Sequence, residues 1–209
     1  MVQGTNETID PLIINNIQKT DCKTVFDYGC GYTDLVWKIH SLGKKVVGFD
    51  INDNYIEIQR KKNNPGGIRF IDSISLKKEL LSLRSSFDCV VCNLVLCDID
   101  INEELEQVIV NIVELLCTGG IAIIGICNPL ATFSGSSLIQ RRVVPEGVTY
   151  SDQFEFKKEI FSTGNIRSDF HRPLGVYENL FDDKGLKIIS VEQSSGIDFM
   201  VFYLEKGDK

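Results

Sequence analysis

Histidine is scarce in this chain, with two among 209 residues, and no histidine, cysteine or acidic side chains stand at metal-ligand spacings, so no metal site is expected. A general base must come from a very short list. No apolar run reaches the length a bilayer demands, and the first residues, MVQGTNETIDPL, show no basic stretch ahead of an apolar core. Neither a membrane partner nor a secretory signal is expected. Positive charge is in deficit too. The 22 Lys and Arg against 29 Asp and Glu leave a net charge of -7, which argues against a protein whose main affinity comes from neutralising nucleic-acid phosphates. A small molecule or a peptide is the expected partner, with no nucleic acid.

The seven cysteines are odd in number and mostly lie in apolar runs such as FDCVVCNLVLC. That pattern suits reduced, buried thiols and a cytoplasmic protein. Cys89 and Cys92 spell C-x-x-C, but on a strand they point to opposite faces, the wrong geometry for a metal knuckle or redox pair. The length suits one well-buried domain, 1–209.

Short β-rich runs alternate with amphipathic stretches through the first two-thirds of the chain. This is the mark of parallel strands joined by right-handed helical crossovers, hence a doubly wound α/β sheet. Strands are expected near Thr24–Tyr28, Lys45–Ile51, Ile68–Ile71, Phe87–Val95 and Gly120–Cys127, and helices near Asp34–Leu42, Asn54–Lys62, Leu76–Leu83 and Glu103–Leu116. An N-terminal helix, with Ile9, Leu12, Ile13 and Ile17 on one side, makes residues 1–20 a segment able to lid the site. Residues 128–170 mix small, polar, basic and aromatic side chains without a sustained period, which is where a substrate-facing insertion belongs. A helix over Leu174–Lys184, stopped by Gly185, precedes LKIISVEQ and FMVFYLEK across the turn-rich SSGID. The hairpin brings the sheet to seven strands, mostly parallel with an antiparallel C-terminal pair.

The first strand runs into V-F-D-Y-G-C-G-Y-T, so Asp27, Gly29 and Gly31 fall at the carboxyl end of a strand, where doubly wound sheets bind ligands. Glycine there permits left-handed backbone and close approach to a ligand. Asp50 ends the next strand, 19 positions after Gly31, in the usual place for a carboxylate that accepts ribose hydroxyls, with Ile51 beside it for the adenine face. A dinucleotide site asks for a third glycine so that a helix N-terminus can approach a pyrophosphate. Asp34 stands at that sixth position, where its charge repels phosphate. A nucleoside carrying cations in place of phosphates, which Asp27 can favour directly or through water, fits better.

Together, DYGCG, GFDI, FDCVVCNLVL, LLCTGGIAIIG and DFHRPLGVYENLFDDKGLKI resemble the class I S-adenosylmethionine-dependent methyltransferases, with their Rossmann-like fold, over essentially the whole chain from Thr24. The resemblance implies S-adenosyl-L-methionine as cofactor and S-adenosyl-L-homocysteine as product. It also implies that Gly29 and Gly31, with Cys30 between them, pass the methionine part, that Asp50 holds the ribose, that Asp72 and Ser73 edge the adenine, and that Asn93 faces the methionyl end. Thr33 stands where many members have a third glycine.

Methyl transfer from a sulfonium is an in-line displacement in which the protein chiefly aligns the reactants. A carboxylate acceptor needs no base, whereas a hydroxyl must lose a proton. His171 is the better placed histidine and a candidate base. Arg172, next to a helix start at Pro173, is a candidate anchor for an anionic acceptor. The alternative is that both only fasten the insertion to the sheet. Tyr32, Tyr150, Phe133, Phe154 and Phe156, with the adjacent Arg141 and Arg142, are candidate walls of an acceptor pocket. The run N-L-V-L from Asn93 lacks the prolines and aromatic typical of methyltransferases acting on amino groups. The expected activity is therefore O-methylation, on a carboxylate or hydroxyl of a small metabolite or modified peptide, in natural-product tailoring. Two alternatives stand beside it: a catalytically inactive cofactor-binding partner, suggested by Thr33, and an NAD(P)-dependent oxidoreductase.

Overall fold

The computed structural model describes residues 4–62 and 66–207, so residues 1–3 of the N-terminal segment and the last two of the chain lie outside the described residues. The chain opens with helix α1 (Thr5–Gln18), which starts earlier than its apolar spacing predicts because the Glu7 carboxylate accepts the Gly4 N–H at 3.1 Å and closes the first turn. Strand β1 (Thr24–Tyr28), helix α2 (Leu35–Ser41), β2 (Lys45–Phe49), α3 (Asp53–Lys61), β3 (Arg69–Ile71), α4 (Ser73–Leu83), β4 (Phe87–Asn93), α5 (Asn102–Leu115) and β5 (Leu116–Cys127) then alternate as the sequence predicts. A 3-10 turn at Pro129–Ser134 leads to β6 (Gln140–Val143), β7 (Phe154–Ile160) and β8 (Asn165–His171). Helix α6 (Leu174–Asp183) and the pair β9 (Leu186–Gln193) and β10 (Phe199–Lys206) end the fold.

Seven strands form one sheet in the order β3-β2-β1-β4-β5-β10-β9. All neighbours are parallel except β10, which runs antiparallel to both β5 and β9. The strand order reverses between β1 and β4, and the carboxyl ends of those two strands therefore open a crevice that connections cannot cover.

Both sheet faces are buried, which is why β1 and β4 read as continuous apolar runs and not as alternations. One face packs Phe26, Tyr28, Val90, Cys92, Ile124 and Phe202 under α4, α5 and α6. The opposite face packs Val25, Cys89, Val91, Ile123 and Val201 under α1, α2 and α3, with Ile9, Ile13 and Ile17 of α1 fully buried. Cys89 and Cys92 thus serve opposite cores, and all seven cysteines are free thiols.

The segment after β5 holds a second sheet, β6-β7-β8, antiparallel throughout. Its period escapes detection in the sequence because its inward face is polar: Gln140, Arg142, Lys158, Asp169 and His171 are buried beside Phe154 and Phe156. No described helix is long and apolar enough to cross a membrane.

Candidate active site

Past Tyr28 the chain turns through Gly29 and Gly31, both left-handed at φ +81° and +55°. The N–H groups of Gly29 and Cys30 donate to the Phe49 carbonyl at 2.7 and 2.8 Å, and the Gly31 N–H donates to Asp50 Oδ2 at 2.8 Å. The loop is clamped to the end of β2. The other oxygen of Asp50 accepts the Asn52 N–H at 2.8 Å. Each carboxylate oxygen keeps a lone pair, enough for two ribose hydroxyls.

A Cβ at Gly29 would overlap Val95 Cγ2, so this position is restricted by space as well as by φ. Thr33 is different. The non-glycine residues with positive φ among the described residues are Ser85, Leu94 and Ile197, so Thr33 adopts ordinary backbone and a glycine there would bring no conformational gain. Its carbonyl accepts Gln59 Nε2 at 2.8 Å, and the same amide group donates to the Gly31 carbonyl at 3.0 Å. Gln59 is fully buried, its oxygen fixed by Trp37 Nε1 at 2.8 Å. This amide splints the glycine loop, and nothing in the sequence pattern of α3 announces it.

Asp34 stands at the start of α2, exposed and ion-paired with Lys62 at 2.8 Å. A pyrophosphate approaching that helix would meet a carboxylate. Asp27 lies deeper. It is 1% exposed and Oδ2 has no hydrogen-bond partner. Burial first, then the nearby charges of Asp10 and Asp50, push its carboxyl up to about 8. Such a group calls for a cation. Cys30 sends its thiol inward, toward Gly48 of β2, and offers a ligand only its backbone. Asn93 closes β4 with its Oδ1 buried and unpartnered, next to Gly125.

At the opposite end of the crevice, Asp72 caps α4 by accepting the Ser75 N–H at 2.8 Å and contacts Arg60 at 3.3 Å; the Ser75 backbone bond is the main cause of its lowered pKa. Ser73 lies at the limit of contact with Asp53, 3.5 Å away. Ile51 and Ile74 are left 80% and 60% exposed, a pair of apolar side chains without a cover beside the Asp50 and Asp72 strand ends. An adenine ring would bury such groups.

Of the residues singled out for the acceptor, Tyr32 is half exposed and packs on Tyr55 with ring centroids 4.9 Å apart. Most of the others serve the small sheet or its junctions with the main fold. His171 is 2% exposed, its Nδ1 3.0 Å from Thr132 Oγ1 and its Nε2 2.9 Å from the Tyr150 carbonyl, and it stacks on Phe154. Burial lowers its pKa. Arg172 is fully buried, donating to Ile99 O at 2.7 Å and Asn102 Oδ1 at 3.1 Å with its guanidinium over Phe170. Tyr150 presents its hydroxyl to the Leu174 N–H at 2.9 Å. Arg141 and Arg142, adjacent on β6, point to opposite faces: Arg141 is exposed and pairs with Glu159, and Arg142 is buried against Asp198. They do not form one joint anion clamp.

Sequence reasoning also passed over a buried group at the ends of β4 and β5. Cys97, Cys127 and Asp169 converge there, and Lys158 Nζ sits 2.6 Å from Asp169 Oδ2 and 3.5 Å from Cys127 Sγ. The Lys158 ammonium thus already engages two of the three groups, Asp169 and Cys127.

A family model described as a methyltransferase domain matches residues 26–124. No curated protein sequence matches the chain. Among solved structures, a protein from Pyrococcus horikoshii is 18% identical with a TM-score of 0.71, covering 96% of this chain and 89% of that chain. An S-adenosylmethionine-dependent methyltransferase from Mesorhizobium loti is 16% identical with a TM-score of 0.70, over 97% and 100%. The 1,6-didemethyltoxoflavin-N1-methyltransferase of Burkholderia thailandensis, solved with its substrate and S-adenosylhomocysteine, is 14% identical with a TM-score of 0.60, over 95% and 77%. At these identities the structural likeness speaks for the fold, which is the class I methyltransferase fold that the sequence motifs resemble, and the family model matches the part of it that builds the glycine loop.

Proposed function

We propose that this chain, which carries a methyltransferase domain on the class I fold, binds S-adenosylmethionine and directs its methyl group in line onto an oxygen of a small metabolite or modified peptide. One observation carries the reading. The glycine loop is clamped to a ribose-type acid, Asp50, while the position beside it offers an unpartnered buried carboxylate, Asp27, and an acid, Asp34, that repels phosphate. That combination suits a nucleoside bearing an ammonium and a sulfonium, and it disfavours a nicotinamide dinucleotide.

When bound, the cofactor supplies an electrophilic methyl on a positively charged sulfur. The protein's own part is placement. Asp50 takes the ribose, Ile51 and Ile74 cover the adenine with Asp72 and Ser73 at its edge, and Gly29 to Gly31 leave backbone, not side chain, along the methionine part. Asn93 and Asp27 face the charged end. Holding a nucleophile in line with the methyl supplies most of the rate advantage, and burial removes competing water.

The 1–20 segment acts as a lid and 128–170 as the acceptor wall of a single domain. His171 contributes by fixing that wall, both of its ring nitrogens being engaged by Thr132 and the Tyr150 carbonyl, and Arg172 ties the end of β8 to Ile99 and Asn102 at the start of α5 while its Nη2 stays buried and unpartnered. A carboxylate acceptor then needs no base at all. Tyr32 and the exposed Leu130, Phe133 and Leu138 offer the apolar contacts of the pocket. The free thiols fit a cytoplasmic protein.

The test is transfer of label from methyl-labelled S-adenosylmethionine to small-molecule fractions of cell extract, resolved by chromatography. A labelled product whose methyl is lost to base as an ester, or kept as an ether, supports O-methylation. A protein that binds S-adenosylhomocysteine yet labels nothing across all fractions contradicts catalysis.

A further inference from the structure

The lid helix α1 brings a charge into the crevice that the reading above does not use. Asp10 is 2% exposed on α1, beside the fully buried Ile9, an unusual place for a carboxylate. Lys38 of α2 holds its Oδ2 at 2.8 Å. Its Oδ1 has no partner. Two more unpartnered oxygens, Asp27 Oδ2 and Asn93 Oδ1, belong to neighbouring strands. In the β1–β4 register Asp27 lies opposite Val91, so Asn93 is two residues farther along on the same face, the face that α1 covers. Gly125, paired with Asn93 on β5, shows how near the helix comes: Asn93 Oδ1 and Ile9 Cδ1 both crowd the point where a Gly125 Cβ would lie, at 2.4 and 2.9 Å. Asp10 follows Ile9 in α1, and its charge is close enough to raise the Asp27 pKa.

We propose that Asp10 is a cofactor ligand: with Asp27 and Asn93 it forms three oxygen acceptors for the three N–H bonds of the methionyl ammonium, so that the bound cofactor fastens the lid helix to the sheet. The inference rests on the S-adenosylmethionine reading. Its chemical basis is that a primary ammonium donates three hydrogen bonds and accepts none, and three buried acceptors without donors are its complement. Lys38 leaves Asp10 half neutralised and one oxygen free, which holds the carboxylate in place without filling the cradle.

Two ligands separate this role from general support of the fold. S-adenosylhomocysteine carries the ammonium, and 5′-methylthioadenosine has the same nucleoside and sulfur without it. Calorimetric titration of wild type, Asp10→Asn and Lys38→Met with each ligand gives the comparison. The expected result is that Asp10→Asn weakens S-adenosylhomocysteine about tenfold or more and changes 5′-methylthioadenosine less than about twofold. Lys38→Met breaks the α1–α2 ion pair but spares the free oxygen, so it should leave S-adenosylhomocysteine binding unchanged or tighter. Equal losses for both ligands in Asp10→Asn, no loss for either, or a Lys38→Met loss matching Asp10→Asn overturns the proposal while leaving the cofactor reading intact. Wild-type protein that binds neither ligand overturns the cofactor reading itself.

Discussion

Replacing Gly29 with alanine tests whether the loop geometry is fixed by the backbone or by its surroundings, because two separate costs meet at that residue. The left-handed φ of +81° costs an alanine about 1–2 kcal/mol. The added methyl also overlaps Val95 Cγ2, an overpacking cost of about 1–3 kcal/mol. Gly29→Ala should therefore destabilise the protein by about 2–5 kcal/mol in urea unfolding. Val95 is partly buried, and Val95→Ala alone should cost about 1 kcal/mol through lost apolar burial. In the double variant the overlap is gone and only the φ cost persists, so the two substitutions should be less than additive by about 1–3 kcal/mol. Gly29→Ala should also bind S-adenosylhomocysteine more weakly, since relieving the φ strain and the overlap with Val95 displaces the loop that runs along the methionine part. Strict additivity, or a Gly29→Ala cost below about 0.5 kcal/mol, would refute the idea that this turn is set by steric fit.

The Asp27 carboxyl at about 8 has two consequences of opposite sign. Its folded pKa exceeds the unfolded value, so it contributes stability below about pH 4 that is lost as pH rises toward 8. Asp27→Asn should flatten that part of the melting-temperature profile. A bound cation needs the ionised form, so S-adenosylhomocysteine affinity should rise between pH 6 and 7.5, by at most about tenfold per pH unit, and lose that slope in Asp27→Asn. Ile51→Ser, at a side chain 80% exposed, should change folding stability by less than about 0.5 kcal/mol, yet weaken cofactor binding by about 1 kcal/mol, read by titration, if the adenine covers it. His171→Phe leaves Thr132 Oγ1 and the Tyr150 carbonyl without their partner and should cost about 1–3 kcal/mol of stability. The pH profile of methyl transfer should keep its shape in that variant, and loss of an acidic limb would assign His171 to base catalysis instead.

The parallel core was open to reading because chemistry and period agree there. TVFDY and FDCVVCN are buried on both faces and read as unbroken apolar runs, and Gly29, Gly31 and Asp50 sit where strand ends must meet a ligand. The small sheet was hidden by the opposite circumstance. Its buried face carries Arg142, Lys158 and Asp169, charges that reach burial only through partners distant in sequence, such as Asp198 for Arg142. For the same reason Arg141 and Arg142 looked like one cationic pair, and strand alternation separates them. Gln59 and Asp10 escaped because a polar residue in an amphipathic helix reads as solvent-facing unless its partners from other elements, Gly31 and Thr33 for Gln59 and Lys38 for Asp10, are seen beside it. Thr33, by contrast, drew attention as a missing glycine, and its ordinary φ removes the reason for it.

Calorimetric titration of the wild-type protein with S-adenosylhomocysteine and, separately, with NAD⁺ tests the central claim most directly. Saturable one-to-one binding of S-adenosylhomocysteine, abolished in Asp50→Ala, with no heat from NAD⁺, is the predicted result; binding of NAD⁺ without affinity for S-adenosylhomocysteine would contradict it.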